Sequence, residues 1–250
     1  MKRCAVFALV GMALLGGIVA AQEPSRGPDG GASTHVSGVE VLAIPDKPFS
    51  ANTSTEWTRA LEDGSTVVTQ LQAKLARDSR GRVYRENHVF VPANSDQKSP
   101  IYEIHIYDPG ARAQIRCKTH TLECVMTDYA PMTFFETRPT GSYAKGTRSL
   151  ARESLGTDVI EGLNVIGTRE TITVNAGVLG NAQPIISTRD FWYSEELQTN
   201  LAVTRHDPRE GTQVIRLSNL SQAEPDAHLF EVPIGYSVRD LRASARRRQY

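Results

Sequence analysis

The sequence predicts a mostly β chain, an antiparallel curled sheet or incomplete β-barrel of about eleven strands with a few short helices. Three observations predict it. Apolar residues recur with period two, short turn signals punctuate the chain at close intervals, and no long segment carries helical periodicity.

The first strands show the pattern most fully. In Ser65–Ala76 one face carries Val67, Thr69, Leu71, Ala73 and Leu75, and the other Val68, Gln70, Gln72 and Lys74. Such alternation marks a strand with one face on the core and one in water. Glu62-Asp63-Gly64 and Asp78-Ser79-Arg80-Gly81 are turn sequences on either side. Asn52–Leu61, Ser65–Arg77 and Arg82–Phe90 therefore read as consecutive meander strands. Ile101–Tyr107 follows, closed by Asp108-Pro109-Gly110, and then the pair Ala113–Cys117 and Leu122–Met126. After a loop rich in Pro, Gly and Ser come Glu153–Ile160 and Asn164–Val174, flanking Glu161-Gly162. Pro184–Tyr193, Leu201–His206 and Thr212–Leu220 complete the set, with Asp207-Pro208-Arg209-Glu210-Gly211 as the last turn. Short helical turns are expected at Tyr143–Ala151 and at Glu224–Phe230, where Pro225-Asp226 resembles a helix start.

The N-terminus predicts an address. Met1-Lys2-Arg3 precedes an uncharged, largely apolar run from Cys4 to Ala21, the charged and apolar regions of a secretory signal, with small residues at Val19-Ala20-Ala21. Residues 1–21 are read as a signal peptide cleaved near Ala21, and an uncleaved anchor is the alternative. The absence of a Cys at the cleavage point argues against lipid anchoring. Residues 22–39 read as a flexible leader, 40–238 as a single β domain, and 239–250 as a basic tail holding Arg239, Arg242, Arg246, Arg247 and Arg248. The expected product is periplasmic or secreted, monomeric and without a transmembrane span. The 28 basic residues balance the 28 acidic ones, which argues against nucleic-acid binding. The tail reads as a solvated end, with weak contact to anionic lipid or polysaccharide as the sharper alternative.

Removing Cys4 with the signal leaves Cys117 and Cys124. A four-residue loop at Thr119–Leu122 puts them opposite each other on a hairpin, close enough for a disulfide, and export supplies the oxidising compartment. Metal ligation with His120 is the alternative and needs two more ligands. His35, His88, His105, His120, His206 and His228 form no metal spacing. Glu103 and His105 share a strand face, a pairing that suits acid–base work and more often serves structure. No nucleophile elbow, phosphate loop or dinucleotide fingerprint is present. No catalytic residue, cofactor or metal is therefore assigned. Trp57, Tyr84, Phe90, Tyr102, Tyr107, Phe134, Phe135, Phe191, Trp192 and Tyr193 lie on strand faces, as core or as the wall of an apolar site.

Residues 152–174 (Arg-Glu-Ser-Leu-Gly-Thr-Asp-Val-Ile-Glu-Gly-Leu onward), Asp190–Gln198 (Asp-Phe-Trp-Tyr-Ser-Glu-Glu-Leu-Gln) and Glu224–Tyr236 resemble stretches of a group of exported bacterial proteins of unknown function, as does Trp57–Gly64. The strand order, Trp192-Tyr193-Ser194 and the ending Leu229-Phe230-x-x-Pro233-x-Gly235-Tyr236 also resemble lipoprotein carriers such as LolA and LolB and the related sensor domain RseB. That resemblance implies an incomplete barrel curled over short helices with an apolar interior. It transfers no ligand-contacting residue, and the tail and the Cys hairpin depart from it. The leading expectation is an exported, uncharacterised, non-catalytic binding module holding an apolar ligand or a lipoprotein or partner segment in a half-barrel. The alternatives are a structural or interaction protein of the envelope and a hydrolase with a dispersed site.

Overall fold

The computed structural model describes residues 39–129 and 139–242. The expected signal peptide, the leader except its last residue, Phe134 and Phe135, and the tail from residue 243 lie outside the described residues.

Two antiparallel meanders make one sheet. The first comprises β1 (Phe49–Ala60), β2 (Thr66–Arg77), β3 (Val83–His88), the two-residue β4 (Val91–Pro92), β5 (Ile101–Asp108), β6 (Ala113–Lys118) and β7 (Glu123–Asp128). The second comprises β8 (Gly141–Tyr143), β9 (Arg148–Ile160), β10 (Leu163–Val174), β11 (Ile185–Ser194), β12 (Thr199–Asp207) and β13 (Gly211–Ser221). Pairing of β1 with β13 zips the two together. The chain then returns to the far edge, where β14 (Ser237–Asp240) runs parallel to β7. The order is β14-β7-β6-β5-β3-β2-β1-β13-β12-β11-β10-β9-β8, with β4 on β2. Because β14 and β8 are both ends among the described residues, the sheet they form is a curled half-barrel that does not close.

Among the described residues the sheet has 14 strands, more than the eleven expected. The extra three are β4, β8 and β14, of two, three and four residues, too short for a period-two pattern to register. The helical content up to Leu241, among the described residues, is one 3₁₀ turn at Ala227–Phe230, where the Asp226 side chain accepts from the His228 N–H. The helical turn expected at Tyr143–Ala151 is instead a hairpin turn between β8 and β9. Ala144, Lys145 and Gly146 stand there at φ 50°, 56° and 82°, left-handed values that a helix excludes.

The central strands β1 and β13 bury alternate residues. On β1, Phe49, Ala51, Thr53 and Thr55 are buried while Asn52, Ser54 and Glu56 are exposed. This buried side is the inner face. Its floor gathers Phe49, Ala51, Leu75, Val83, Phe191, Leu201, Val203, Ile215 and Leu217, each large apolar side chain contributing about 1.5–3 kcal/mol. The resemblance implies short helices beneath the sheet. The floor is covered instead by extended chain: Val39 and Val41 pack on it, as do Leu163 and Val165 from the tip of the β9–β10 hairpin. Glu161 at that tip accepts from the Leu220 N–H at 3.1 Å.

The first meander buries its other face as well. Neighbours part there: Leu75 and Val83 join the inner floor, Ala76 and Tyr84 a second cluster with Ile104, Ile106, Ile115, Cys117 and Cys124. The segment after β13 crosses this outer face as a strap. Phe230 inserts into the cluster beneath the Arg82 guanidinium, 4.7 Å from its ring centroid, and Leu229, Val232 and Tyr236 pack beside it. Glu224 anchors the strap by accepting from the backbone N–H and hydroxyl of Ser79.

Candidate functional site

Register brings one line of side chains together across seven adjacent strands. Arg152 (β9) lies opposite Glu170 (β10), Glu170 opposite Arg189 (β11), and Arg189 opposite Arg205 (β12). Arg205 lies opposite Gln213 (β13), Gln213 opposite Trp57 (β1), and Trp57 opposite Thr69 (β2). Directly paired residues share a face, and Trp57 continues the buried phase of Thr53 and Thr55. The row therefore lies on the inner face. Two residues further along each strand, a step of about 7 Å, runs the floor row Thr168, Phe191, Val203, Ile215, Thr55 and Leu71.

The polar row mixes buried and half-exposed members. Glu170, Arg205 and Gln213 are 6%, 8% and 3% exposed, whereas Arg152, Arg189, Trp57 and Thr69 are half-buried. Charges so buried are costly unless paired, and part of the pairing is internal. The Arg152 guanidinium donates to Glu170 at 2.7 Å. Trp57 Nε1–H donates to the Glu210 carbonyl at 2.7 Å, and the Arg59 guanidinium stacks 4.4 Å from the Trp57 ring. Phe90 meets that ring edge-on at 6.0 Å. At the next step outward Arg209 clamps Asp207 through two hydrogen bonds and Ser187 donates to it at 2.7 Å, which holds the Asp207 carboxyl well below the usual carboxylate range. Among the described residues three buried side-chain atoms make no hydrogen bond, Thr69 Oγ1, Arg205 Nη1 and Gln213 Nε2, and all three belong to this row.

Of the residues that the sequence singles out, Glu103 and His105 do come together. Along β5, His105 Nε2 meets Glu103 at 2.5 Å and Nδ1 meets the Tyr107 hydroxyl at 3.1 Å. The ring is wired in one tautomer: Nε2–H donates to the carboxylate and Nδ1 accepts from the phenol. Burial is the main cause lowering the His105 pKa, against Glu103, and burial raises that of Tyr107. Both ring nitrogens are thus engaged by neighbours on the same strand. Cys117 and Cys124 pair directly across β6 and β7, Cα atoms 4.0 Å apart, and are disulfide-bonded within the outer cluster. Among the described residues no three His, Cys, Asp or Glu side chains gather as metal ligands would. The aromatic residues divide between faces: Phe191 in the inner floor, Tyr84 in the outer cluster, Tyr102 exposed. In the tail, Arg239 pairs opposite Val125 in β14, and Arg242 clamps Asp240 and donates to the Ala111 carbonyl.

Motif reading misses the polar row, because its members span residues 57 to 213. A weaker signal does mark them. Arg205 continues the inward phase of Leu201 and Val203, and Gln213 that of Ile215 and Leu217, so each is a polar residue where the period calls for an apolar one. The inner face is correspondingly not the uniformly apolar interior that the resemblance implies.

No known family profile and no curated protein matches the chain. Among solved structures it is similar to an uncharacterized conserved protein from Thermus thermophilus, at 10% identity and TM-score 0.40, covering 78% of this chain and 90% of that one. It is similar to the MucA/MucB complex of Pseudomonas aeruginosa, at 11% identity and TM-score 0.40, covering 79% and 59%. It is also similar to a LolA superfamily protein from Nitrosomonas europaea, at 8% identity and TM-score 0.28, covering 75% and 91%. The chain spans about three-fifths of the matched chain in the MucA/MucB complex. Among the described residues no helix is long and apolar enough to cross a membrane.

Proposed function

We propose that the protein is an exported, non-catalytic binding module of the cell envelope that holds its ligand, or a segment of a partner, against the inner face of the half-barrel. The observation that supports this reading is where the chain spends its own covering segments. Extended chain and a hairpin tip seal the inner floor, and a strap seals the outer face of the first meander. The polar row at the floor's edge keeps Arg152, Arg189, Trp57 and Thr69 half-exposed. A filled floor disfavours deep burial of an acyl chain, so contact with the row carries the recognition. Site-specific photo-crosslinking tests it. A benzoylphenylalanine at Trp57, on the inner face, is expected to capture a ligand or partner in the native envelope, and one at the neighbouring, outward Glu56 is not. Equal or absent capture from the two positions would sink the reading.

A sheet edge favours a second reading, contact with an envelope component through strand pairing. Strand β9 pairs with β8 only over Arg148–Leu150, and its residues 151–160 have no partner strand on that side among the described residues. Val159 on this edge is 60% exposed. Val159→Lys is expected to weaken envelope association if the edge is used, and unchanged association removes the edge from consideration.

A further inference from the structure

The three buried atoms without hydrogen bonds differ in what they can accept. Arg205 Nη1 and Gln213 Nε2 are donors only, and the Thr69 hydroxyl can donate. Arg205 and Gln213 keep other partners, so it is leftover donor capacity that points to one place. A buried donor left unsatisfied costs about 1–3 kcal/mol, more when charged, and strands β12 and β13 set two such donors directly opposite each other. Charge points the same way. Arg189 and Arg205 are also directly opposite, which places their Cβ atoms about 5 Å apart, and like charges in that position repel. The row's one carboxylate, Glu170, lies between Arg152, which donates to it, and Arg189, so the row sets three guanidinium groups against one carboxylate.

An oxyanion resolves both features: its oxygens accept from the leftover N–H groups at Arg205 Nη1 and Gln213 Nε2, and its charge draws the two facing guanidinium groups together. Guanidinium forks match carboxylate and phosphate geometry. We infer that Arg205, Gln213 and Arg189 form a recognition site for a carboxylate or phosphate group carried by the ligand of the binding module proposed above. The inference rests on that reading and names the chemistry of its ligand.

Such a group can be a free small anion or the head of an amphiphile, and calorimetric titration of the mature protein with three probes separates them. Inorganic phosphate represents the first, octyl phosphate the second, and octyl glucoside is the neutral control. Binding of octyl phosphate alone assigns a headgroup, and equal binding of both phosphates assigns a small anion. In either case Arg205→Gln and Gln213→Glu are expected to weaken the phosphate probe at least tenfold, and Arg205→Lys to weaken it less. Arg189→Gln removes a half-exposed charge and serves as the deciding variant should a buried substitution unfold the domain. Unchanged affinity in Arg189→Gln and Arg205→Gln, or no binding of either phosphate, overturns the inference. Octyl glucoside binding as tightly as octyl phosphate overturns it too, while leaving a binding module intact. Failure of that broader reading is read separately, from the absence of inner-face crosslinks at Trp57.

Discussion

The Arg77 guanidinium donates to the carbonyl of Leu197, 120 positions away, at 2.7 Å. Two further hydrogen bonds run to the carbonyls of Lys47 and Leu42, at 2.8 and 3.1 Å. One side chain of 0% exposure thus ties the end of β2 to the segment before β1 and to the β11–β12 turn. Burial lowers its pKa to about 10, which leaves it charged at neutral pH, with backbone carbonyls absorbing the charge. Arg77→Met removes the charge and leaves three carbonyls, that of Leu197 buried, to be satisfied otherwise. The expected loss is about 3–5 kcal/mol, read as a lower urea midpoint. A shift under about 1 kcal/mol, the net worth of one ordinary hydrogen bond, would show that water replaces the guanidinium at little cost.

The Cys117–Cys124 bridge has a sequence separation of 7, and closing so short a loop stabilises by about 2.5 kcal/mol on chain-entropy grounds. Both sulfurs lie buried in the outer cluster, where reductant reaches them only when that cluster opens. Cys117→Ala/Cys124→Ala is expected to lower the unfolding free energy by about that amount, and the native protein to resist reduction until denaturant is added. Rapid reduction without denaturant would mean that the outer cluster opens readily.

These two sites differ in how far the sequence discloses them. The Cys hairpin is legible because both partners lie on one hairpin and its loop length sets their register. The long strands are legible because burial of one face imposes period two over many residues. Arg77 and the row from Arg152 to Thr69 depend on which strands become neighbours, and above all on β1 pairing with β13, which local pattern does not encode. The turn at Ala144-Lys145-Gly146 escapes the sequence for a related reason: two ordinary residues adopt left-handed backbone because the flanking strands demand a hairpin.

His105 should make stability depend on pH. Burial, the largest influence, sets its pKa in the fold below the ordinary value, although Glu103 pulls the other way and Arg85 and Arg116 add to the lowering. The unfolded chain, with a His pKa near about 6.5, then binds more protons than the native state, so stability rises with pH across this window. The contribution is complete above about 6.5 and is lost as pH falls from there toward the folded value. Wild type should therefore lose more stability than His105→Gln between about pH 7.5 and 5.5, a window that brackets the unfolded pKa, measured by urea unfolding. Carboxylates and the exposed His228 are common to both proteins and cancel in the difference. Equal slopes would mean that Glu103 offsets burial in full.

Gly211 closes the β12–β13 hairpin at φ 90°, and a Cβ there would collide with the Thr58 carbonyl oxygen of β1 and press on Arg59 Cα at 3.1 Å. Gly64, in the β1–β2 turn at φ 83°, has nothing within 4 Å of the same position. The two glycines thus share backbone strain but differ in contact. Gly64→Ala should cost about 1–2 kcal/mol, the left-handed penalty alone. Gly211→Ala adds overpacking against backbone that cannot rotate away, about 1–3 kcal/mol more. It also strikes where β13 meets β1, the pairing that carries Gln213 to Trp57 and so assembles the row. A weaker Trp57–Glu210 hydrogen bond and a red-shifted tryptophan emission should accompany the lower stability of Gly211→Ala, and neither should appear in Gly64→Ala. Equal costs at the two positions would show that β1 yields to the hairpin without loss.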